Sequence, residues 1–184
     1  MVRADPAQPG RCHDVAVLEI DIRPVSESEW STLGWLWQCF RHDLALVVGG
    51  LPYPDGRYQT RGLPEGPTAD VAAYLAWRPH PRTNEPAPVG FAVVDGLAQE
   101  RRSIAALWVA PVVRSDGVGR TLALDMVRRH DAPWAVAFQH DNPGAGRFWR
   151  RFADVAFGPD GWTEEQRDVP GVPGAPPDHW IETR

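Results

Sequence analysis

The sequence predicts one α/β or α+β domain with a mixed sheet and helices packed on it. Two observations lead there. Apolar runs of strand length recur along the 184 residues, separated by turn residues and by longer stretches of helical periodicity. One such run, residues 103–110, feeds straight into a glycine turn that opens a helix, the sequence form of a β–α crossing. The expected order is strand, helix, long loop, three strands, helix, strand, short helix and a strand-like end.

Residues 1–14 are rich in proline, glycine and charge and read as a flexible arm, which leaves residues 15–184 as the domain. Residues 15–23 (VAVLEIDIR) alternate imperfectly, a strand with one wetter face that includes Glu19. Serines and glutamates at 26–29 signal a helix start. That helix is expected from about residue 29 to residue 47, with an apolar stripe of Leu33, Leu36, Trp37, Phe40, Leu44 and Val48. Cys39 is expected on the stripe side, buried. Gly49-Gly50 ends the helix, and residues 51–68 read as loop. Residues 72–78, 88–95 and 103–110 are three strands, the first two a hairpin across HPRTNEP. Residues 117–130 form a helix with Val118, Leu122, Met126 and Val127 on one side. Residues 134–139 are a strand, and a short helix runs from 143 to about 153. VPGVPGAPPD can be neither helix nor central strand, and DHWIE after it is a last strand.

Composition excludes several chemistries. The formal charge is −5, from 24 acidic and 19 basic residues, and every basic residue is arginine. Without lysine there is no Schiff-base chemistry, no lysine-anchored pyridoxal phosphate and no P-loop lysine. An acidic chain with dispersed arginines is not built to wrap nucleic acid. The apolar runs are too short for a membrane span, and the first residues lack the apolar core of a secretory signal. Cys12 and Cys39 stand in unrelated contexts, so neither a disulfide framework nor a metal site is expected, and the protein reads as reduced and cytoplasmic.

Chemistry concentrates between Leu107 and Arg120. Unpaired N–H groups at the start of a helix, with the helix dipole behind them, favour an anion, and glycines let it approach the backbone. Arg114 and Arg120 flank this cradle and add charge-assisted donors, so a diphosphate is its natural occupant. The bland alternative is a glycine turn with surface arginines.

Arg114-Ser115-Asp116-Gly117-Val118-Gly119 resembles the R/Q-x-x-G-x-G/A motif of the GCN5-related N-acetyltransferases, the GNAT superfamily. Asn142-Pro143-Gly144-Ala145-Gly146-Arg147-Phe148-Trp149 resembles that family's N-x-x-A-x-x-F-Y segment, and the element order fits over roughly residues 15–182. Residues 36–44 and 55–58 resemble a bacterial subgroup. The resemblance implies a mixed sheet that splays after its fourth strand, with acetyl-CoA in the gap and no metal. It implies that backbone groups of Leu107 and Val109 pair with the pantetheine arm, with an N–H near Val109 polarising the thioester. The loop of Arg114, Ser115, Asp116, Gly117, Val118, Gly119 and Arg120 then holds the pyrophosphate, Asn142 contacts pantetheine and Phe148 lines the channel. The activity implied is direct transfer of acetyl to an amine of a small molecule or peptide, in a protein that is often a homodimer.

Two positions depart from the family pattern. Where many members carry a glutamate on the fourth strand, this chain has Ala106, and where many carry a tyrosine after the phenylalanine it has Trp149. Neither moves protons. His140, in the loop after the strand at 134–139, is a candidate base, or else part of a polar loop in which Asp141 caps the next helix. His42 and Asp43, late in the first long helix, suit deprotonating and holding a cationic amine, or else a solvated helix end. Tyr58 is a candidate proton donor or a packing aromatic. Trp180 suits stacking on a substrate or anchoring the Pro/Gly loop. The alternative class is a catalytically inactive GNAT-fold module that senses acyl-CoA or engages a protein partner.

Overall fold

The computed structural model describes residues 20–63 and 65–184. The arm at 1–14, Cys12, Glu19 and residues 15–18 of the expected first strand lie outside the described residues. The strands are β1 Asp21–Pro24, β2 Ala72–Pro79, β3 Pro86–Asp95, β4 Arg102–Val109, β5 Trp134–Phe138, β6 Trp162–Arg167 and β7 Asp178–Thr183. The α-helices are α1 Trp30–Val48, α2 Val118–Arg129 and α3 Pro143–Phe157. The described strands form one sheet in the order β1-β2-β3-β4-β5-β7-β6. Only β4 and β5 run parallel, joined by α2; the other pairs are antiparallel.

Helix α1 follows a 3₁₀ turn at Glu27–Glu29. The expected start signal is realised there, because the Ser26 N–H donates to Glu29 Oε2 at 2.9 Å. Its end is set by Gly49, whose φ of 67° lets its N–H close on Ala45 O at 2.9 Å. Two apolar layers hold the sheet. One face carries α1, through Leu33 and Trp37, over Leu75, Phe91, Ala106 and Trp108. The other carries α2 and α3, through Leu122, Met126, Trp149 and Phe152, over Ile104, Val109, Trp134 and Phe138. A bulge decides which side chains of β4 face which layer. Val94 pairs with Ile104 and Val93 with Ala106, so Ala105 is extra. Ile104 and Ala106, two residues apart, therefore point to opposite faces.

The structure corrects several expectations. Cys39 is exposed. It lies two residues from Trp37, about 200° round the helix, on the outward side with Trp35 and Leu46, which are 72% and 86% exposed. Val48 is half-exposed, so the buried stripe stops a turn early. Helix α3 continues four residues beyond the expected end, because nothing interrupts it before Gly158 at φ 81°. Its cap is Asn142, whose Oδ1 accepts from the Ala145 N–H at 3.1 Å, and not Asp141. Strand β6 is an addition. Its sequence, WTEEQR, is an edge strand whose charges conceal it from hydropathy.

Candidate active site

Strand β4 parts from β5 after two residue pairs, Arg102↔Trp134 and Ser103↔Ala135. Its other edge stays paired with β3 as far as Val109, while β5 turns to β7 over Ala135–Phe138. A wedge therefore opens between Ile104–Val109 and the end of β5. The Ala110 N–H donates to Val89 O at 2.8 Å on the β3 side. By alternation, the backbone groups of Leu107 and Val109 face the wedge.

The first turn of α2 stands at the mouth of this opening. A Cβ on Gly119 would lie 3.4 Å from Val109 Cγ2 and 3.5 Å from the Phe148 ring, so helix start, strand end and Phe148 converge there. The turn before it needs left-handed backbone at Ser115 (φ 74°) and at the N-cap Gly117 (φ 87°). Thr121 makes the first helical bond, to Gly117 O at 3.0 Å, which leaves the N–H groups of Val118, Gly119 and Arg120 without helical acceptors. Arg120 is exposed on this turn and Val118 is buried beneath it. Asp116 is paired with Arg78 at 2.9 Å. These are the properties of an anion cradle, and its glycines leave room for a phosphate against the backbone.

Arg114 does not simply flank the cradle. Its Nε donates to Val109 O at 2.9 Å and its Nη2 to Asp43 Oδ2. The same carboxylate oxygen accepts from Trp108 Nε1 at 2.9 Å. Asp43 is thus neither a solvated helix end nor a free anion, but the tie between α1, β4 and the cradle. Burial alone would raise its pKa; hydrogen bonds from Arg114 and Trp108 together outweigh that and hold it below the usual carboxylate value. His42 Nδ1 lies 3.6 Å from Asp43 Oδ1, and its ring meets Tyr58 edge-on at 6.1 Å. Gln38 pins the Tyr58 backbone, accepting from its N–H at 2.7 Å and donating to its carbonyl at 3.2 Å. His42, Asp43 and Tyr58 therefore meet on the α1 side. A cavity of about 220 Å³ lies beside them, lined by Arg41, Ala45, Tyr53, Tyr58 and Gln59.

His140 lies elsewhere, exposed just past β5, with Nδ1 3.1 Å from His179 Nε2. Asn142 spends its side-chain oxygen on the α3 cap. Phe148 packs edge-on against Trp149 at 4.8 Å. Ala106 and Trp149, at the places of the usual acid–base residues, are both buried. Trp180 has Arg167 over its ring at 4.9 Å, so that ring face is already covered by a cation of the protein. Sequence reasoning missed His179, Glu164 and Arg150. They lie on β7, on the unexpected β6 and on α3, and only the β5-β7-β6 pairing brings them to His140.

The chain matches no protein-family model and no curated protein. Among solved structures it is similar to an acetyltransferase of the GNAT family from Staphylococcus aureus, at 13% identity and a TM-score of 0.58 over 90% of this chain and 99% of that one. It is similar to NAA60 of Arabidopsis thaliana, solved with a bisubstrate analogue, at 16% identity and a TM-score of 0.58 over 89% and 98%. A third is the ribosomal-protein-S18-alanine N-acetyltransferase of Escherichia coli, at 11% identity and a TM-score of 0.54 over 89% and 91%. The fold is that of the GNAT acyl-CoA N-acyltransferases. Within this GNAT fold the described residues hold no group of three or more His, Cys, Asp or Glu placed to bind a metal ion. They include no helix long and apolar enough to cross a membrane.

Proposed function

We propose that this protein is an N-acetyltransferase of a bacterial GNAT subgroup, working in the cytoplasm. It passes acetyl from acetyl-CoA directly to a primary amine of a small molecule or peptide. The observation that carries this reading is the wedge: β4 loses its parallel neighbour after Ser103, so Leu107 and Val109 face a gap. An amide-bearing arm adds to that edge as an extra strand would. The cradle at 114–120 stands at the end of the gap, where the arm's pyrophosphate belongs. CoA supplies the thioester; the chain's residues align it and handle the protons. The Val109 N–H is the donor placed to stabilise charge on the thioester oxygen. Direct transfer is favoured because Cys39, the cysteine among the described residues, sits on the outward face of α1.

The experiment is acetyl-CoA with an amine panel, followed by thiol release, beside calorimetric CoA binding. Gly117→Glu puts a side chain at φ 87° and a negative charge into the cradle. It is expected to abolish CoA binding, and unchanged affinity would refute the pyrophosphate assignment. One observation favours a second reading. Ala106 and Trp149 are buried, non-titrating groups where acid–base residues are usual, which suits a module that senses acyl-CoA. Tight CoA binding with no turnover across the panel selects it.

A further inference from the structure

A line of polar contacts crosses the β5-β7-β6 half of the sheet. Arg150 grips Glu164 in a two-pronged pair, Nε to Oε2 and Nη2 to Oε1, both at 2.7 Å. Glu164 Oε1 lies 2.6 Å from His179 Nδ1, and His179 Nε2 lies 3.1 Å from His140 Nδ1. The His140 and His179 ring centroids are 5.3 Å apart with planes 19° apart. That separation is close to the largest a 3.1 Å nitrogen contact permits between imidazoles, so the contact runs in the ring planes, as a hydrogen bond requires. Phe138, directly opposite His179 in the β5–β7 register, stacks on it at 5.0 Å and 8° and fixes the ring.

These contacts fix where the protons sit. An ionised carboxylate only accepts, so Nδ1 of His179 carries the hydrogen. Arg150 keeps Glu164 in that ionised state. In the tautomer with its hydrogen on Nδ1, His179 presents a lone pair at Nε2. Gln166 Nε2, 3.3 Å from that same nitrogen, is compatible with this assignment. In that tautomer the His179 lone pair accepts from His140 Nδ1–H, which leaves His140 Nε2 bare. His140 follows β5 by two residues, at the end of the strand that borders the wedge.

We propose that Glu164, acting through His179, sets the tautomer of His140 so that its Nε2 serves as the base for an acceptor amine. This deepens the acyl-transfer reading and rests on it. An ammonium gives one proton to His140 Nε2, which passes it to water. The freed amine nitrogen attacks the thioester carbonyl carbon, the C–N bond forms, and the C–S pair leaves on sulfur as thiolate. The remaining surplus proton on nitrogen ends on that sulfur. His140 is the catalytic residue, and His179 and Glu164 are positioning residues.

Glu164→Gln reverses the chain of assignments. With its oxygen kept by Arg150, the amide nitrogen donates to His179 Nδ1, both rings change tautomer, and His140 Nε2 carries a hydrogen. ¹⁵N NMR of the imidazoles is expected to show His140 as the Nδ1–H form in the parent protein and the Nε2–H form in E164Q. In the amine assay, kcat is expected to fall tenfold or more in E164Q with KM and CoA affinity unchanged, since general-base catalysis contributes about 10²- to 10⁴-fold. His179→Phe keeps the ring on Phe138 and leaves the Arg150–Glu164 pair, so it tests the relay if E164Q folds poorly; the same loss is expected. An Nε2–H tautomer for His140 in the parent protein, or parent kcat in both variants, overturns the proposal. If the parent protein acetylates no amine, the acyl-transfer reading falls, and the His140 tautomer in parent and variant still decides the relay.

Discussion

Removing the charge of Asp43 is expected to tighten CoA binding while weakening the fold. The guanidinium of Arg114 is held between Asp43 Oδ2 and Val109 O, the carbonyl that a pantetheine amide would need. Donor binding that recruits Arg114 to the pyrophosphate draws it away from both. The Asp43–Arg114 pair is partly solvated, its side chains 34% and 46% exposed, so its worth is about 0.2–1 kcal/mol. In Asp43→Asn that restraint is gone, and the CoA dissociation constant is expected to fall by about 1.4- to 5-fold. Stability moves the other way. Trp108 Nε1 loses a charged acceptor at 2.9 Å and keeps at best a neutral one, a cost of about 1–2 kcal/mol. The sign with pH follows from the depressed Asp43 pKa. Its contribution is complete above the unfolded value of about 3.9 and is lost as pH falls through the lower folded value. Calorimetric CoA titration of both proteins, with thermal unfolding at neutral pH and at pH 3, reads all of this. Weaker CoA binding in D43N with unchanged unfolding would refute the argument, because it would make Asp43 a support for the donor site and not a competitor for Arg114.

His130 is the second pH-dependent element: its Nε2 meets Tyr74 OH at 2.7 Å, and burial, with Arg102 and Arg129 nearby, pushes its pKa below the ordinary imidazole value. The folded state then binds fewer protons, so stability is full above about pH 6.5 and falls as pH drops through the lower folded value; urea midpoints should show this slope in the parent and not in His130→Phe, and equal slopes would sink it. Arg41 has its Nε buried without a partner and its pKa lowered by burial. Arg41→Met keeps the apolar stem and drops the desolvated charge, so it should be neutral or stabilising by up to about 1 kcal/mol; a melting temperature lowered by several degrees would show that the guanidinium is held by something else.

Most elements were legible because each carries its own local signal. Ser26 and Glu29 mark the start of α1, Gly49 its end, and Gly117 and Gly158 bound the later helices, all through backbone geometry that neighbouring residues dictate. Strand β6 was not legible: four of its six residues are charged or amide-bearing, and an edge strand is held by its partner's backbone more than by burial. The cradle could be read from the strand–glycine–helix order. The partners of its side chains could not. Arg114 meets Asp43 from 71 residues away, and His140 meets His179 from 39 away. Those contacts arise from packing α1 on β4 and from the antiparallel return of β7 beside β5, and no spacing in the sequence encodes either.

The two departures at Ala106 and Trp149 narrow what can move protons in the wedge. Ala106 is buried under α1 and offers only a methyl group, while the Trp149 indole is packed between Phe148 and Phe152. Asp43 is close but unsuited as a base: its carboxylate is held below the usual value and one oxygen already accepts from both Trp108 and Arg114. His140 differs in kind, because a carboxylate acting through a second imidazole selects which of its nitrogens stays bare. A sensor of acyl-CoA has no use for an imidazole whose tautomer is set by a carboxylate at the end of the strand that borders the wedge. An enzyme lacking the usual glutamate does, and this is the physical reason to favour transfer over sensing.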